Sequence, residues 1–217
     1  MRITITLLLT LMVAAPLAGQ TRRPAPSAKE PPFFLHPFFL ASGEQFAASK
    51  TFDAAFGTES LRPFWGGGVQ IGLRRNLFVE IAVSHFSATG ERAFVAGGQA
   101  FPLGIPLTAT ITPFEVTGGY RYRLSKVIVP YVGVGVGSYA YSERSSFNDT
   151  GEDVSESHAG FIVLGGIEFR VHRWVGVGVD AEYTHVTGIL GDAGISQAFG
   201  EHDLGGTSVR VKILVGR

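Results

Sequence analysis

The chain has 217 residues, including 29 Gly, 17 Phe and no Cys, and its 18 Lys and Arg balance its 18 Asp and Glu. Zero net charge argues against a nucleic-acid partner, and the lack of Cys excludes a disulfide framework, thiol catalysis and Cys-based zinc sites. This length suits one all-β domain, and 12% aromatic residues with abundant Gly are typical of short strands and many turns.

Residues 1–20 predict a secretory signal peptide, with a positive start, an apolar core and a cleavage point after Ala18 or Gln20. Residues 21–32 are rich in Pro and polar side chains, which predicts a disordered lead-in. No later run of about 18 apolar residues follows that could form a membrane-spanning helix. We therefore expect an exported protein whose folded domain covers residues 33–217.

The folded part begins with three predicted strands in which apolar and polar side chains alternate with period 2. The first lies within residues 33–48, where the alternation is weak. The second covers residues 64–73 and the third covers residues 77–88. A tight turn at Arg74-Arg75-Asn76 joins them, which predicts an antiparallel pair.

The remaining sequence predicts five more strands: the fourth over residues 107–124, the fifth over 129–141, the sixth and seventh in a hairpin over 161–186 with its turn at His172-Arg173, and the eighth over 206–215. Pro113 predicts a bend or bulge in the fourth strand, because proline cannot donate to the strand ladder. Each arm of the hairpin is about ten residues long, the length that a tilted strand needs to cross a bilayer.

The connections between these strands alternate in length. Tight turns are predicted at residues 74–76, 125–126 and 172–173, and loops at residues 49–63, 89–106, 143–157 and 188–204. Short periplasmic turns and long extracellular loops are typical of barrels in the bacterial outer membrane. The sequence therefore predicts an all-β fold, an eight-stranded antiparallel transmembrane β-barrel without a substantial helix.

Period 2 by itself does not decide whether the valines of these strands face lipid or a soluble core. A soluble, exported, lipocalin-like barrel that binds apolar ligands would bury them and expose the charges. The Gly-rich polar face favours a membrane barrel, because Gly suits a narrow interior and is costly on a water-facing strand. Aromatic residues near the predicted strand ends also resemble membrane girdles: Trp65, Tyr120, Tyr122, Tyr139, Tyr141, Trp174 and Tyr183.

The enclosed face of such a barrel would carry charges of both signs. Its acidic members are Glu80, Glu115, Glu168, Asp180 and Glu182, and its basic members are Arg121, Arg123, Arg170, Arg210 and Lys212. An eight-stranded barrel has room inside only for side chains, and an unpaired buried charge costs several kcal/mol. We therefore predict a lumen closed by salt bridges instead of a wide aqueous pore.

Residues 130–137 read PYVGVGVG. With the signal peptide and the strand pattern, this segment resembles the small outer-membrane β-barrel proteins of Gram-negative bacteria, of the OmpA, OmpX and OmpW kind. The resemblance covers Phe33 to Arg217, although such proteins typically end on an aromatic residue and this chain ends Leu214-Val215-Gly216-Arg217. It implies an outer-membrane location, with membrane lipids and the barrel-assembly machinery as partners. We expect a structural, small-solute or surface-interaction role toward an extracellular ligand that the sequence does not identify, without enzyme activity or a cofactor.

Two sequence features raise other possibilities. His85-Phe86-Ser87, with Glu91 nearby, is similar to the His-x-Ser pair and Glu of outer-membrane lipid A deacylases, which would make the protein a lipid-modifying hydrolase. His185-Val186-Thr187 ends the seventh strand in the same way, which favours a polar rim at the membrane interface. An acidic run could suit calcium but lacks EF-hand spacing, so we predict a solvated loop and no metal: Asp149, Glu152, Asp153 and Glu156.

Overall fold

The computed structural model describes residues 33–58, 61–145, 154–191 and 194–216. Across these segments, eight antiparallel strands close into a barrel, because β1 pairs with β8 as well as with β2. The strands are β1 (Phe34–Phe46), β2 (Arg62–Gly72), β3 (Leu77–Ala96), β4 (Gln99–Arg121), β5 (Ile128–Ser145), β6 (Val154–His172), β7 (Val175–Val186) and β8 (Gly206–Val215). The predicted eight-stranded antiparallel barrel is confirmed. The predicted signal peptide and lead-in lie outside the described residues.

One end of the barrel, called here the turn end, carries three short connections. They are the 3-10 turn Arg74–Asn76, residues 122–127 between β4 and β5, and Arg173–Trp174 between β6 and β7. Two of them differ from prediction, since the β4–β5 connection is longer than Ser125-Lys126 and His172 still belongs to β6. The hydrogen-bonded ladder of β6 therefore continues beyond the point where the side-chain alternation fades.

The opposite end, called here the helix end, carries two short helices within the described residues, α1 (Ser49–Phe56) and α2 (Gly194–Phe199). The sequence predicted loops at both places, and this was wrong. Helices this short are marginal in water and form when tertiary contacts hold them, as the buried side chains of Phe52 and Ala55 do for α1. In the part of the chain that the structure describes, neither helix is long and apolar enough to cross a membrane.

The prediction of a loop over residues 89–106 is also wrong. β3 and β4 run on through this segment and meet at a two-residue turn, Gly97-Gly98, with φ of 59° and 78°. Such a turn needs positive φ at both positions, which Gly adopts without a steric penalty. The loop predicted over residues 143–157 is likewise shorter, because β5 extends to Ser145 and β6 starts at Val154. Side chains on both faces of the β3–β4 extension are exposed or half-buried, so burial does not alternate there.

Pro113 produces neither a bulge nor a register shift. The β3–β4 ladder lacks pairs beside it, between Val83↔Phe114 and Phe86↔Ile111, but the register is the same on both sides. The missing proline N–H therefore interrupts the ladder without displacing it. The irregularity in this pair lies further toward the helix end, between Glu91 and Ala93.

The barrel turns its apolar side chains outward. Val132, Val134 and Val136 on β5 are 62%, 64% and 65% exposed, whereas the charged residues of the opposite parity are buried. This orientation contradicts the soluble lipocalin-like alternative, which would place the valines inside. Exposed aromatic residues bound the apolar belt: Tyr120, Tyr122 and Trp174 near the turn end, and Trp65, Phe161 and Tyr183 toward the helix end.

Tyr139 and Tyr141 do not belong to these girdles, although the sequence predicted that they would. They lie on the inward parity of β5 and are only 5% and 8% exposed. Proximity to a strand end therefore did not identify a girdle residue, because the face of the strand decides whether a ring meets lipid.

Candidate functional site

Arg210 on β8 lies at the centre of the barrel interior and is 2% exposed. Its Nε donates to Asp180 Oδ1 at 2.5 Å, and its guanidinium also forms an ion pair with Glu182. Further ion pairs join Nη1 to Glu115 Oε2 at 3.5 Å and Nη2 to Glu80 Oε1 at 3.6 Å. One cation therefore holds carboxylates from β3, β4 and β7, and the lumen is crossed by charge pairs at this level.

Lys212, two residues along β8, extends this cluster. Its Nζ lies 2.6 Å from Glu80 Oε1 and 3.0 Å from Asp180 Oδ2. The hydroxyl of Tyr131 donates to the same Asp180 carboxylate at 2.6 Å. We call the following set the ion-pair layer: Glu80, Glu115, Asp180, Glu182, Arg210 and Lys212.

Arg121 forms a second buried ion pair nearer the turn end. Its Nη2 lies 2.5 Å from Glu168 Oε2, and its Nη1 donates to Gln70 Oε1 at 3.0 Å. Gln70 in turn donates to Glu80 Oε2 at 3.2 Å, which connects this pair to the ion-pair layer. The guanidinium also stacks over the Phe34 ring, 4.5 Å from its centroid. Buried charge is thus paired across the lumen, between strands that are not neighbours in the sheet.

The structure places the ten charges predicted for the lumen in two groups. One group is buried in the interior and joined by the contacts above: Glu80, Glu115, Arg121, Glu168, Asp180, Glu182, Arg210 and Lys212. Arg170 lies nearer the turn end, where its Nε is 3.4 Å from Glu168 Oε1 and its side chain is 27% exposed. Arg123 follows the end of β4 and is half-buried.

Sequence reasoning missed several uncharged or weakly patterned members of this interior. Gln70 and Tyr131 lie on the inward parity of their strands, and Tyr139 donates to Glu115 Oε1 at 2.9 Å. Strand parity could have identified these three, had polar residues without charge been counted. Glu44 on β1 lines the same small pocket as Arg210, and it was missed because the alternation in β1 is weak.

A layer of apolar side chains lies between the ion-pair layer and the helix end. Phe46 stacks on Phe52 of α1 with ring centroids 4.0 Å apart, and Phe64 stacks on Phe86 at 5.1 Å. We call this buried cluster the apolar plug: Phe46, Ala48, Phe52, Phe64, Phe86, Ala109, Ile111, Tyr139, Tyr141, Val186, Leu190 and Leu204. It closes the lumen a second time, with packed rings instead of charges.

The helix end also contains a half-open cavity of about 750 Å³ above the apolar plug. Apolar side chains of α1, β4 and α2 form much of its lining, and Arg92, Glu143, Glu156 and His158 supply its charged and polar groups. Glu156 Oε2 lies 3.4 Å from His158 Nε2. The other members of the predicted acidic run, Asp149, Glu152 and Asp153, lie outside the described residues.

The candidate hydrolase residues lie on the outer face of β3 and do not assemble into a triad. His85 and Glu91 are six residues apart on one strand, which separates them by roughly 20 Å. His85 Nδ1 instead lies 3.3 Å from Thr112 Oγ1, and its ring packs edge-on against Trp65 at 5.6 Å. Ser87 is exposed on the same face. A carboxylate from Glu91 therefore does not orient this histidine.

His185 occupies the matching position on β7. Its Nδ1 lies 2.6 Å from Asp203 Oδ2, and its ring packs 5.4 Å from Phe161. Asp203 Oδ1 also accepts the backbone N–H groups of Val186 and Gly205. The pair thus fastens the chain before β8 to the barrel rim. Among the residues described, no group of three or more His, Asp and Glu side chains could hold a metal ion.

Comparison with known proteins agrees with this architecture. The family model of the outer membrane protein beta-barrel domain matches residues 4–211. Neisserial surface protein A is 12% identical, with a TM-score of 0.50, and the match covers 85% of this chain and 97% of that one. A major outer membrane protein from Thermus thermophilus is 9% identical, with a TM-score of 0.53, covering 84% and 99%. No curated protein matches the chain. At these identities the two structures show a shared fold.

Proposed function

This chain belongs to the outer membrane protein β-barrel domain family and lies in the bacterial outer membrane, and on that premise we propose that it is a closed barrel which acts at the cell surface. The turn end then faces the periplasm and the helix end faces outward, as in barrels with short periplasmic turns. The observation that carries the proposal is the double closure of the lumen by the ion-pair layer and the apolar plug.

Each layer opposes the passage of ions for a different reason. In the ion-pair layer, a permeating ion would have to separate buried charges such as Arg210 and Asp180, and breaking a buried ion pair costs several kcal/mol. In the apolar plug, the packed rings of Phe46 and Phe52 offer an ion no group to replace its water shell. Together they support a barrier in a barrel that is already too narrow for an aqueous channel.

The outer surface supports a role beyond the membrane. Toward the helix end, the outward-facing residues change from apolar to polar, as Ser138, Ser142 and Arg144 on β5 illustrate after Val132 and Val134. A polar outer face is suited to water and not to lipid. The extensions of β3 to β6 therefore project past the apolar belt and present a surface to ligands outside the cell.

Planar-bilayer recording tests the closed barrel. Protein whose folding is verified by a gel shift between boiled and unboiled samples is expected to give no steady single-channel current. Protein-free bilayers made with the same detergent are the control. Large, steady currents from the folded protein would contradict the proposal, because neither the ion-pair layer nor the apolar plug could then be intact.

We propose further that His85, Ser87 and Glu91 do not form a lipid A hydrolase site, because His85 and Glu91 are too far apart for catalysis as a pair. Replacing Ser87 by Ala is expected to leave the acylation of lipid A unchanged in cells that produce the protein. Loss of a deacylated lipid A species in the Ser87→Ala strain, as seen by mass spectrometry, would restore the enzyme hypothesis.

A further inference from the structure

We propose that the cavity at the helix end binds a small water-borne amphiphile with an aromatic or aliphatic body and a positively charged amine head. The inference rests on the proposed function, which turns this end toward the outside. Its volume, about 750 Å³, lies within the range of roughly 300–1,000 Å³ that is usual for small-molecule sites. The cavity also combines apolar walls with a few polar groups, as such sites do.

The floor of the cavity is apolar and fixed. Phe52, Leu107 and Leu190 line it and are themselves 3%, 4% and 9% exposed. Phe52 and Leu190 also belong to the apolar plug, so the floor is the outer surface of a packed cluster. An apolar body placed here would be removed from water at about 25 cal/mol for each Å² buried, without rearranging the barrel.

The walls are held by contacts that do not involve a ligand. The Glu201 carboxylate accepts the backbone N–H groups of Lys50 and Thr51 at 3.1 and 2.8 Å, which fixes the first turn of α1. Near α2, Ser196 Oγ accepts the backbone N–H of Gly191 at 2.9 Å. The cavity is therefore formed in advance, which lowers the entropic cost of binding.

The charged groups of the cavity favour a cationic head. Glu143 and Glu156 supply two carboxylates against the guanidinium of Arg92, and His158 lies beside Glu156. Carboxylates only accept hydrogen bonds, so a complementary head must donate them. An ammonium group does so and carries the opposite charge, whereas a carboxylate or sulfate head would be repelled.

The cavity opens to water and not to lipid. Glu156 and His158 precede Phe161 on β6 and lie on the side of this girdle residue that is away from the apolar belt. Glu143 lies beyond Ser138 on β5, where the outer face of that strand has become polar. A soluble amine is therefore the occupant that this position favours.

Calorimetric titration of the full-length protein in phosphatidylcholine nanodiscs tests the proposal. Three probes share one ring system and differ in the head: 1-naphthylmethylammonium, neutral 1-naphthylmethanol and anionic 1-naphthylacetate. The ammonium probe is expected to bind at least about tenfold more tightly than the anion, with empty nanodiscs giving no saturable heat. Equal affinity for cation and anion, or the same heat from empty nanodiscs, would overturn the proposal.

Variants locate the binding within the cavity. Ala93→Trp fills the cavity from β3 and is expected to weaken binding of the ammonium probe by about tenfold or more. The double variant Glu143→Gln, Glu156→Gln is expected to weaken binding of the ammonium probe and to leave the affinity for naphthylmethanol unchanged. Glu91→Gln is the control for the loss of a carboxylate outside the cavity, since Glu91 lies on the outer face of β3. Unchanged binding to a folded cavity-filled variant would overturn the assignment.

If Ala93→Trp does not fold, as judged by the gel shift, Ile195→Trp fills the cavity from α2 instead. Failure of this site is distinguishable from failure of the proposed function. Tight amine binding by a barrel that conducts ions would refute the closed lumen and keep the site. A barrel that conducts no ions and binds none of the probes would refute the binding site and leave the proposal of a closed lumen standing.

Discussion

Arg210 shows how a single buried cation depends on its surroundings. A guanidinium taken from water loses its hydration, and only nearby carboxylates in good geometry offset that loss. Asp180 and Glu182 of β7 and Glu115 of β4 supply them. The same contacts pair the carboxylates. Without Arg210, Glu115 and Glu182 would lose this cation, whereas Asp180 would keep its contact with Lys212.

Replacing Arg210 by Met is therefore expected to destabilise the barrel by about 3–5 kcal/mol, because it removes one side of a buried ion cluster. The measurement is urea unfolding of the protein in lipid vesicles, followed by Trp fluorescence. Arg144→Met is the control, since Arg144 is exposed on the outer face of β5 and its loss should stay within about 0.5 kcal/mol. Equal effects of both substitutions would show that the ion-pair layer contributes nothing to stability.

At the scale of elements, α1 illustrates a helix that is held from outside. Ala48 precedes it and supplies no side-chain cap. Glu201, far along the chain, caps its first turn instead, and Arg62 of β2 donates to the Gly57 carbonyl at its other end at 2.5 Å. Both ends of α1 thus depend on other parts of the barrel, and the helix forms part of the cavity wall.

Replacing Glu201 by Ala is expected to loosen α1, since losing a helix cap costs about 0.5–2 kcal/mol. Hydrogen exchange of the amides in residues 49–56 should become faster, while the β-strand amides should be unchanged. Glu201→Gln keeps an acceptor oxygen and should have a smaller effect. Unchanged exchange in the Ala variant would mean that the packing of Phe52 holds α1 without the cap.

At the scale of the whole molecule, the apolar belt fixes how the barrel sits in the membrane. Val134 lies in the belt on β5, and Ser142 lies on the same face of the same strand beyond it. The two positions share a strand and a face and differ in depth. They therefore give a matched pair for measuring where the bilayer ends.

Val134→Arg is expected to destabilise the folded barrel in vesicles by about 2–4 kcal/mol, the cost of a charge near the bilayer midplane. Ser142→Arg should cost about 0–1 kcal/mol, because this residue would lie at or beyond the interface. Unfolding by urea in the same vesicles measures both. A cost at Ser142 as large as at Val134 would place the boundary of the belt closer to the helix end.

The sequence by itself determined the fold, the number of strands and which residues of a strand share a face. Period-2 alternation is a local property, so Val132 and Gly133 could be assigned to opposite faces from their spacing alone. The alternation also placed Glu80 and Arg210 opposite the apolar parity of their strands, and both lie inside the barrel. The ion pairs could not be predicted, since several of them join strands that do not pair in the sheet and meet only across the lumen, such as β8 with β3 and β4.

The tertiary structure alone decided what the helix end looks like. α1 and α2 are too short to form from local propensity, and α1 is held by a residue far along the chain, Glu201. The extensions of β3 and β4 are exposed or half-buried on both faces, so no burial contrast marks them in the sequence. The apolar plug and the cavity above it therefore arise from contacts between distant segments, which a local pattern does not encode.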